Sequence, residues 1–341
     1  MSRLVRSICA TLCGAGALVG GNGASAQSSV LYGLADIAAS SIKPVGGATT
    51  QQLESGGLQR SFLGFRGTED LGGGLRAVFK LESYIRYENG AVGRSGSDTF
   101  FSRESSVGLS GAFGTTLLGR TPSPIWTTTV NFNPFGESAE FSPSARQYFG
   151  ARGAMLGDSR WNSSINYSNN TSESPLRLTA AGSLAPQNGT PQPGHNWGGS
   201  AAYITGPFAA ALAYEKINSS SQPLPAGFQN QQAAQLGATY DFKFLRVYGQ
   251  IGRVKTEADT DVQTILYQLG AAIPFSNSVI LFGYGHSHMK ATLTATTDQI
   301  MSIGYDYFLS KNTDVYVAGL YEKLSFVSNG NSFAGGIRHR F

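Results

Sequence analysis

The last ten residues, Ser332-Phe-Ala-Gly-Gly-Ile-Arg-His-Arg-Phe341, constrain this chain more than any other segment. Side chains alternate across a strand, so Phe333, Gly335, Ile337, His339 and Phe341 share one face, and Ala334, Gly336, Arg338 and Arg340 share the other. Chain ends normally fray, and a terminal ring gains little from a soluble surface. The closing strand of a membrane-spanning barrel gives that ring a use. It sits at the interface, while the strand edge pairs with the first strand.

The other end reads as an export signal. Arg3 and Arg6 precede a short apolar stretch from Ile8 to Val19, and Ala24-Ser25-Ala26 has the small-x-small pattern of a cleavage site. The expected cut follows Ala26 and leaves Gln27 first, so 1–26 is a removed signal and 27–341 a single barrel domain. The Gly14–Gly20 run has neither the spacing nor the preceding strand of a dinucleotide loop. Cys9 and Cys13 leave with the signal, and Leu12 stands where lipid attachment needs a small residue. The mature chain then has no thiol, disulfide or cysteine-based metal site.

No run approaches the roughly 20 apolar residues of a spanning helix, which leaves a soluble protein or a membrane barrel. The net charge of +4 becomes +2 without Arg3 and Arg6 (23 basic against 21 acidic residues), which gives no argument for nucleic acid. Alternating segments predict sixteen strands at 30–42, 58–68, 75–87, 101–111, 114–121, 159–168, 175–185, 197–205, 208–218, 231–241, 244–256, 262–273, 278–289, 297–308, 313–325 and 332–341. Tight Gly/Pro/Asn turns, such as Glu69–Gly74 and Pro274–Asn277, alternate with long polar connections at 43–57, 88–100, 122–158, 186–196, 219–230, 257–261, 290–296 and 326–331. Short turns on one side and long loops on the other are the pattern of an antiparallel transmembrane β-barrel with periplasmic termini. Leu245, Val247 and Ile251 alternate with Arg246, Tyr248 and Gln250; a charged inner face is costly in a packed core and natural in a wet lumen. Phe208, Tyr240, Phe242, Phe275, Tyr305, Tyr307 and Phe341 cluster at strand ends, as an interfacial girdle requires. The small residues Ala209, Ala211, Ala213, Gly252, Gly270 and Ala272 argue for an open lumen over a plugged one.

Ser28–Gly33, Gly64-Phe-Arg-Gly-Thr-Glu-Asp-Leu-Gly-Gly-Gly-Leu-Arg-Ala77, Val107–Gly111 followed by Thr116–Arg120, and Gly336–Phe341 resemble the general trimeric porins of β-proteobacteria. The resemblance covers nearly the whole mature chain. It implies a homotrimer of sixteen-stranded barrels in the outer membrane, with a third external loop folded into the pore. It also implies passive diffusion of ions and small hydrophilic solutes, contact with outer-membrane lipid and lipopolysaccharide, and assembly by periplasmic chaperones and the barrel-assembly machinery, which would read Phe341. Thr121–Asp158 is the longest connection, and Asn133-Pro134-Phe135-Gly136 resembles the turn of the inward loop. The family often has an arginine where this chain has Phe62; Arg60 lies two residues earlier on the same face.

His286 and His288 share a strand face but lack further ligands for a metal, no Gly-x-Ser-x-Gly stands out for hydrolysis, and no cofactor is expected. The candidate pore lining is Arg60, Arg76, Lys80, Arg103, Arg120 and Arg160 on the wall, with Arg66 beside them, and Glu137, Glu140, Arg146 and Arg152 on the loop. Parity places Arg103 with Val107 and Leu109, so its lumen position rests on the resemblance. Fixed charge in a narrow pore sets ion selectivity, and here the bases outnumber the acids, so a weak anion preference is expected. Ala35, Ala39, Ser106 and Gly108 are expected on the outer faces that make the trimer contact. The competing reading is a surface adhesin or structural barrel with a largely closed lumen.

Overall fold

The computed structural model describes residues 28–169, 174–184 and 195–341; the signal segment, with Ala26 and Gln27, lies outside them. Its strands are β1 Ser28–Lys43, β2 Thr50–Ser55, β3 Phe62–Gly72, β4 Leu75–Arg86, β5 Ala91–Val92, β6 Glu104–Gly111, β7 Gly114–Pro122, β8 Arg160–Ser168 and β9 Leu176–Ser183, followed by β10 Trp197–Thr205, β11 Phe208–Ile217, β12 Asn230–Asp241, β13 Arg246–Glu257, β14 Val262–Phe275, β15 Ser278–Ala291, β16 Ala295–Phe308, β17 Thr313–Leu324 and β18 Gly330–Arg340. Two helices, α1 Pro124–Asn131 and α2 Pro143–Phe149, interrupt the connection from β7 to β8. Sixteen of the strands form a closed antiparallel barrel, sealed where β1 pairs with β18 from Leu34↔Arg340 to Lys43↔Asn331. Closure pairs every barrel edge, which a membrane requires because no water is there to satisfy a free one.

The two remaining strands correct the expected first and second loops. β2 lies within 43–57 and pairs with the upper half of β1, Ile37↔Ser55 to Ile42↔Thr50, while β3 pairs with the lower half, Leu34↔Phe62 to Ser28↔Thr68. Four extra residues therefore separate the two ladders. Residues 58–61, expected in the second strand, leave the wall, and Arg60 goes with them. β5 is a two-residue ladder, Ile85↔Val92 and Arg86↔Ala91, inside 88–100. The tight turns and Phe341 share one end. Gly72, Gly73 and Gly74 all take φ between 62° and 84°, which makes the β3–β4 turn a place for glycine.

Alternation separates two environments. Ile251 and Leu269 are 45% and 65% exposed on the outer surface, while Gln250, Val254, Leu266 and Gln268 face inward and are buried. Parity holds within β6 and breaks just before it, at Arg103. Glu104 and Ser106 are buried on the inner side, and Val107 and Leu109 are exposed on the outer. Ser106 and Gly108 thus belong to the inner face, a correction to their expected place in an outer contact; Ala35 and Ala39 do lie outward.

The β7–β8 connection packs on the inner wall. Ser123 and Ser142 cap the two helices, accepting from the N–H groups of Trp126 and Ala145, and prolines follow both caps. Phe135 and Phe141 are buried with Leu58, Leu281, Ile300 and Leu320. Ile125, Tyr148 and Met155 are buried with Trp161, Ala213, Ile217 and Val254. Burial of such side chains stabilises by about 1.5–3 kcal/mol each, so the connection is held as firmly as a core. A row of inner glycines makes room for it. A Cβ on Gly237 would lie 2.7 Å from Phe132, on Gly252 1.6 Å from Tyr148 Oη, on Gly270 2.5 Å from Pro134 and on Gly285 2.8 Å from Pro143. Gly252 and Gly270 therefore seat this connection and are not evidence for empty lumen.

Candidate functional site

Between the β7–β8 connection and the opposite wall lies a cavity of about 710 Å³ lined by Arg60, Arg94, Arg160, Glu137, Asp158 and Trp126 on one side, with Glu140, Arg146, Arg152 and Glu322 on the other. The elements above account for each position. Arg60 stands on the break between β2 and β3. Arg94 comes from the second external loop. Arg160 opens β8, and the acids come from the connection and from β17.

The charges are arranged in networks. Arg103 donates to Glu82 and, at 2.8 Å, to Glu137, and its guanidinium lies 4.1 Å from the centre of the Phe62 ring. Phe62, standing where the family's arginine is usual, is thus a platform for a different arginine. Arg103 reaches the lumen because it precedes β6 and escapes that strand's parity. Lys80 holds Glu104 at 3.1 Å. Asp158 accepts from Arg94 and Arg120, both at 2.8 Å, and Asp98 accepts from Arg94 at 2.8 Å. On the other side Glu322 takes Arg146 at 2.6 Å and also Arg152, and Glu140 takes Arg146 at 3.3 Å and the Ser332 hydroxyl at 3.0 Å.

Burial by itself raises the Glu137 carboxyl, but the positive charge of Arg103, aided by Arg160, outweighs it and holds the group below the usual carboxylate range. Burial is likewise overcome at Asp158 by the hydrogen bonds and charge of Arg94 and by Arg120. Both acids are ionised and pinned.

Two cations differ. Arg160 donates to the Arg103 carbonyl and the Ser159 hydroxyl, both at 2.9 Å, and lies against the Trp126 ring at 5.0 Å and the Tyr84 ring at 5.6 Å. Arg60 has Tyr84, Arg94, Arg160 and Asp98 as its electrostatic neighbours. Among the described residues neither Arg60 nor Arg160 makes an ion pair. Permanent positive charge therefore remains beside the cavity.

Most of the residues expected here are brought together. Arg76 is not: it is exposed two residues from the β3–β4 turn, at the opposite end of β4 from Glu82. Lys80 and Arg120 lie behind the lining and act through Glu104 and Asp158. The Asn133–Gly136 turn is self-bonded. Asn133 Oδ1 accepts the Phe135 N–H at 2.9 Å, its amide donates to Thr129 O at 2.7 Å and Gly136 O at 3.1 Å, and Phe135 is driven into the wall cluster. Arg94, Asp98, Asp158, Glu82 and Glu322 join the site without having been among the residues expected in it. The i,i+4 pair Arg94/Asp98 was a usable signal; Glu322 had none beyond strand parity. Glu215 was also missed. It is fully buried on β11 and accepts the Ile125 N–H at 2.6 Å, which ties the start of α1 to the wall.

A family model for Gram-negative porins matches residues 11–325. The outer membrane porin protein 32 of Delftia acidovorans is 31% identical over 94% of this chain and 90% of its own length. An outer membrane porin protein of Bordetella pertussis is 27% identical over 82% of this chain and 81% of its own length. Among solved structures, an anion-selective porin from Comamonas acidovorans superposes with a TM-score of 0.78 at 25% identity, covering 93% of this chain and all of the other. With the closed barrel and its charged inner site, these likenesses make the chain an outer-membrane channel protein, a member of the Gram-negative porin family.

Proposed function

We propose that the β7–β8 connection, residues 121–158, forms the narrowest zone of a passive diffusion pore, and that this zone weakly favours anions. The observation that carries the reading is the asymmetry of pairing. Glu137, Asp158, Glu140 and Glu322 are each held by one or more guanidinium groups; among the described lining residues one acid, Asp298, makes no ion pair, against three bases, Arg60, Arg160 and Lys43. The field seen by a passing ion is thus weighted by the unpaired bases, not by the bare count of charges. Paired acids opposite one another still give a transverse component. Water and salt screen the field within about 8–10 Å, which keeps the preference weak. The relative from Comamonas acidovorans, described as anion-selective, supports the sign.

The reversal potential of single channels under a potassium chloride gradient tests this. Arg60→Ala or Arg160→Ala moves it toward cations, most clearly at low salt. A wild-type channel that already favours potassium overturns the sign.

Two further assignments belong to this reading. The leader is cleaved after Ala26, which N-terminal sequencing of the exported protein tests. The functional unit is a homotrimer joined through the outward small side of β1, Ala35 and Ala39, which allows close approach. Cysteine crosslinks at those positions capture trimers, and capture from β13 and β14 but not from β1 refutes the placement.

A further inference from the structure

We infer that Asp36, a wall residue outside the cavity lining, is a positioning residue that sets the charge of the pore by fixing Arg60 in it. The inference rests on Arg60 counting in the selectivity proposed above. Arg60 stands in residues 56–61, the break between β2 and β3, which belongs to no ladder. A segment outside a ladder must find other partners for its backbone N–H groups. Here they converge on one residue. The Leu58 and Gln59 N–H groups donate to Asp36 Oδ2 at 3.0 and 2.8 Å. The Gly56 N–H donates to the Asp36 carbonyl at 2.9 Å. The Ser61 hydroxyl accepts the Asp36 N–H and donates to the Asp36 carbonyl, both at 2.8 Å. Both ends and the middle of the break are thus tied to a single residue of β1.

The far side of the carboxylate is fixed as well. Asp36 Oδ1 accepts the Tyr316 hydroxyl at 2.5 Å. Tyr316 has no room to swing away. A Cβ on Gly57 would lie 2.1 Å from its oxygen, and one on Gly336, its partner across the β17–β18 ladder, 2.5 Å from its ring. From inside, the β7–β8 connection closes on the break. Ser138 Oγ donates to the Gly57 carbonyl at 2.7 Å, and Leu58 is buried with Phe135 and Phe141. Arg60 follows Leu58 by two residues and makes no ion pair, so its place in the cavity is set through its backbone. Asp36 is fully buried and touches no passing solute. Hydrogen bonds to an ionised acceptor are the strong ones, which suits a carboxylate to this task.

Asp36 is itself negative, so removing it has two effects of opposite sign. Loss of its charge moves selectivity toward anions. Loss of its hold on Arg60 moves selectivity toward cations. Asp36 stands opposite Arg338 in the β1–β18 ladder, and Arg338 is in turn paired with Asp306 and Asp314. The field of Asp36 is therefore partly answered where it stands, and the positional effect prevails.

The test measures reversal potentials of full-length channels in planar bilayers under a potassium chloride gradient. Asp36→Ala should move the potential toward cations by most of the shift that Arg60→Ala gives, and should add almost nothing in the Arg60→Ala background. Asp36→Asn also loses the charge, but its amide oxygen can accept the Leu58 and Gln59 N–H groups while its amide nitrogen donates to Tyr316. That variant should keep the native potential or move slightly toward anions. A shift toward anions in Asp36→Ala, or equal shifts in the two variants, overturns the inference. A second readout reports position alone. The thiol of Leu58→Cys, buried in the native channel, should react at least about tenfold faster with a water-soluble thiosulfonate once Asp36 is alanine, because the break then opens locally. Equal rates refute the positioning whatever the selectivity does. A released thiol with no effect of Arg60→Ala on the potential sinks the pore reading and leaves the positioning standing. Should Asp36→Ala fail to assemble, Ser61→Ala with Tyr316→Phe, which leaves every charge in place, must shift the potential toward cations and speed the labelling; no change in either refutes the assignment.

Discussion

Gly252→Ala tests whether the glycines of the inner wall fix the position of the β7–β8 connection. The added Cβ would stand 1.6 Å from Tyr148 Oη, where ordinary contact begins at 3.4 Å, so about 1.8 Å must be found. The strand cannot supply it, because β13 is hydrogen-bonded on both sides. Tyr148 must move, and α2 with it, carrying Arg146 away from Glu322. Overpacking of this kind costs about 1–3 kcal/mol. A glycine-to-alanine change in an unstrained site would instead stabilise by about 0.4–1 kcal/mol. The net expectation is destabilisation near 1 kcal/mol or more, with an altered conductance. Gly249→Ala in the same strand is the control. It points outward, and its new Cβ meets Leu269 at an ordinary 3.9 Å. Tyr148→Phe removes the clashing oxygen but leaves Cζ at 2.9 Å, so the double variant recovers in part, with a coupling of about 0.5–3 kcal/mol. Unfolding in denaturant and single-channel conductance are the assays. Equal midpoints and equal conductance for Gly252→Ala and Gly249→Ala would refute the argument.

Glu137→Gln frees one side of Arg103, which keeps Glu82, and the reversal potential should shift toward anions; a shift toward cations contradicts the pairing. Acid should act late. Glu137 and Asp158 sit below their unfolded values of about 4.3 and 3.9, so the stability they contribute is present above those values and is lost as pH falls through the lower folded ones. Current noise and anion preference should therefore rise only below about pH 4, and a transition at pH 5–6 would point to other groups. Removing Phe341 deletes a half-exposed ring and two backbone hydrogen bonds with Gly33, worth about 0.5–1.5 kcal/mol each. The refolded barrel should lose little stability, whereas the amount of heat-resistant protein in the outer membrane should fall; normal levels in the membrane would count against a role in assembly.

The barrel was legible because alternation is a local property. From β8 onward the expected strand ends fall within two residues of the observed ones, since each strand carries its own apolar face and turn. Two of the misreadings, Arg60 and Arg103, occur where the chain leaves that pattern. Arg103 cannot be placed by counting back from Val107, because the parity rule holds only inside the ladder that begins at Glu104. Arg60 is expected on a strand because the six-residue break between β2 and β3 has no period to betray it. The helices of the β7–β8 connection did leave a signal, the Ser-Pro pairs at Ser123 and Ser142, where a cap and a first-turn proline coincide. A two-turn helix is too short for periodicity to announce.

Pairing is the part that no reading of composition reaches. The cavity lining has nearly balanced charge in sequence, and a count gives only a weak sign. What matters is which charges are consumed by one another. Asp158 spends two arginines, Glu322 spends two more, and Arg103 spends two acids. Each of these choices is a contact between segments far apart in sequence, such as Arg146 with Glu322 across the cavity. Arg146 reaches Glu322 only while α2 lies on its glycine seat, so the packing of Tyr148 on Gly252 and the charge on that side of the cavity are linked. A substitution that lifts the loop should change selectivity without touching a charged residue.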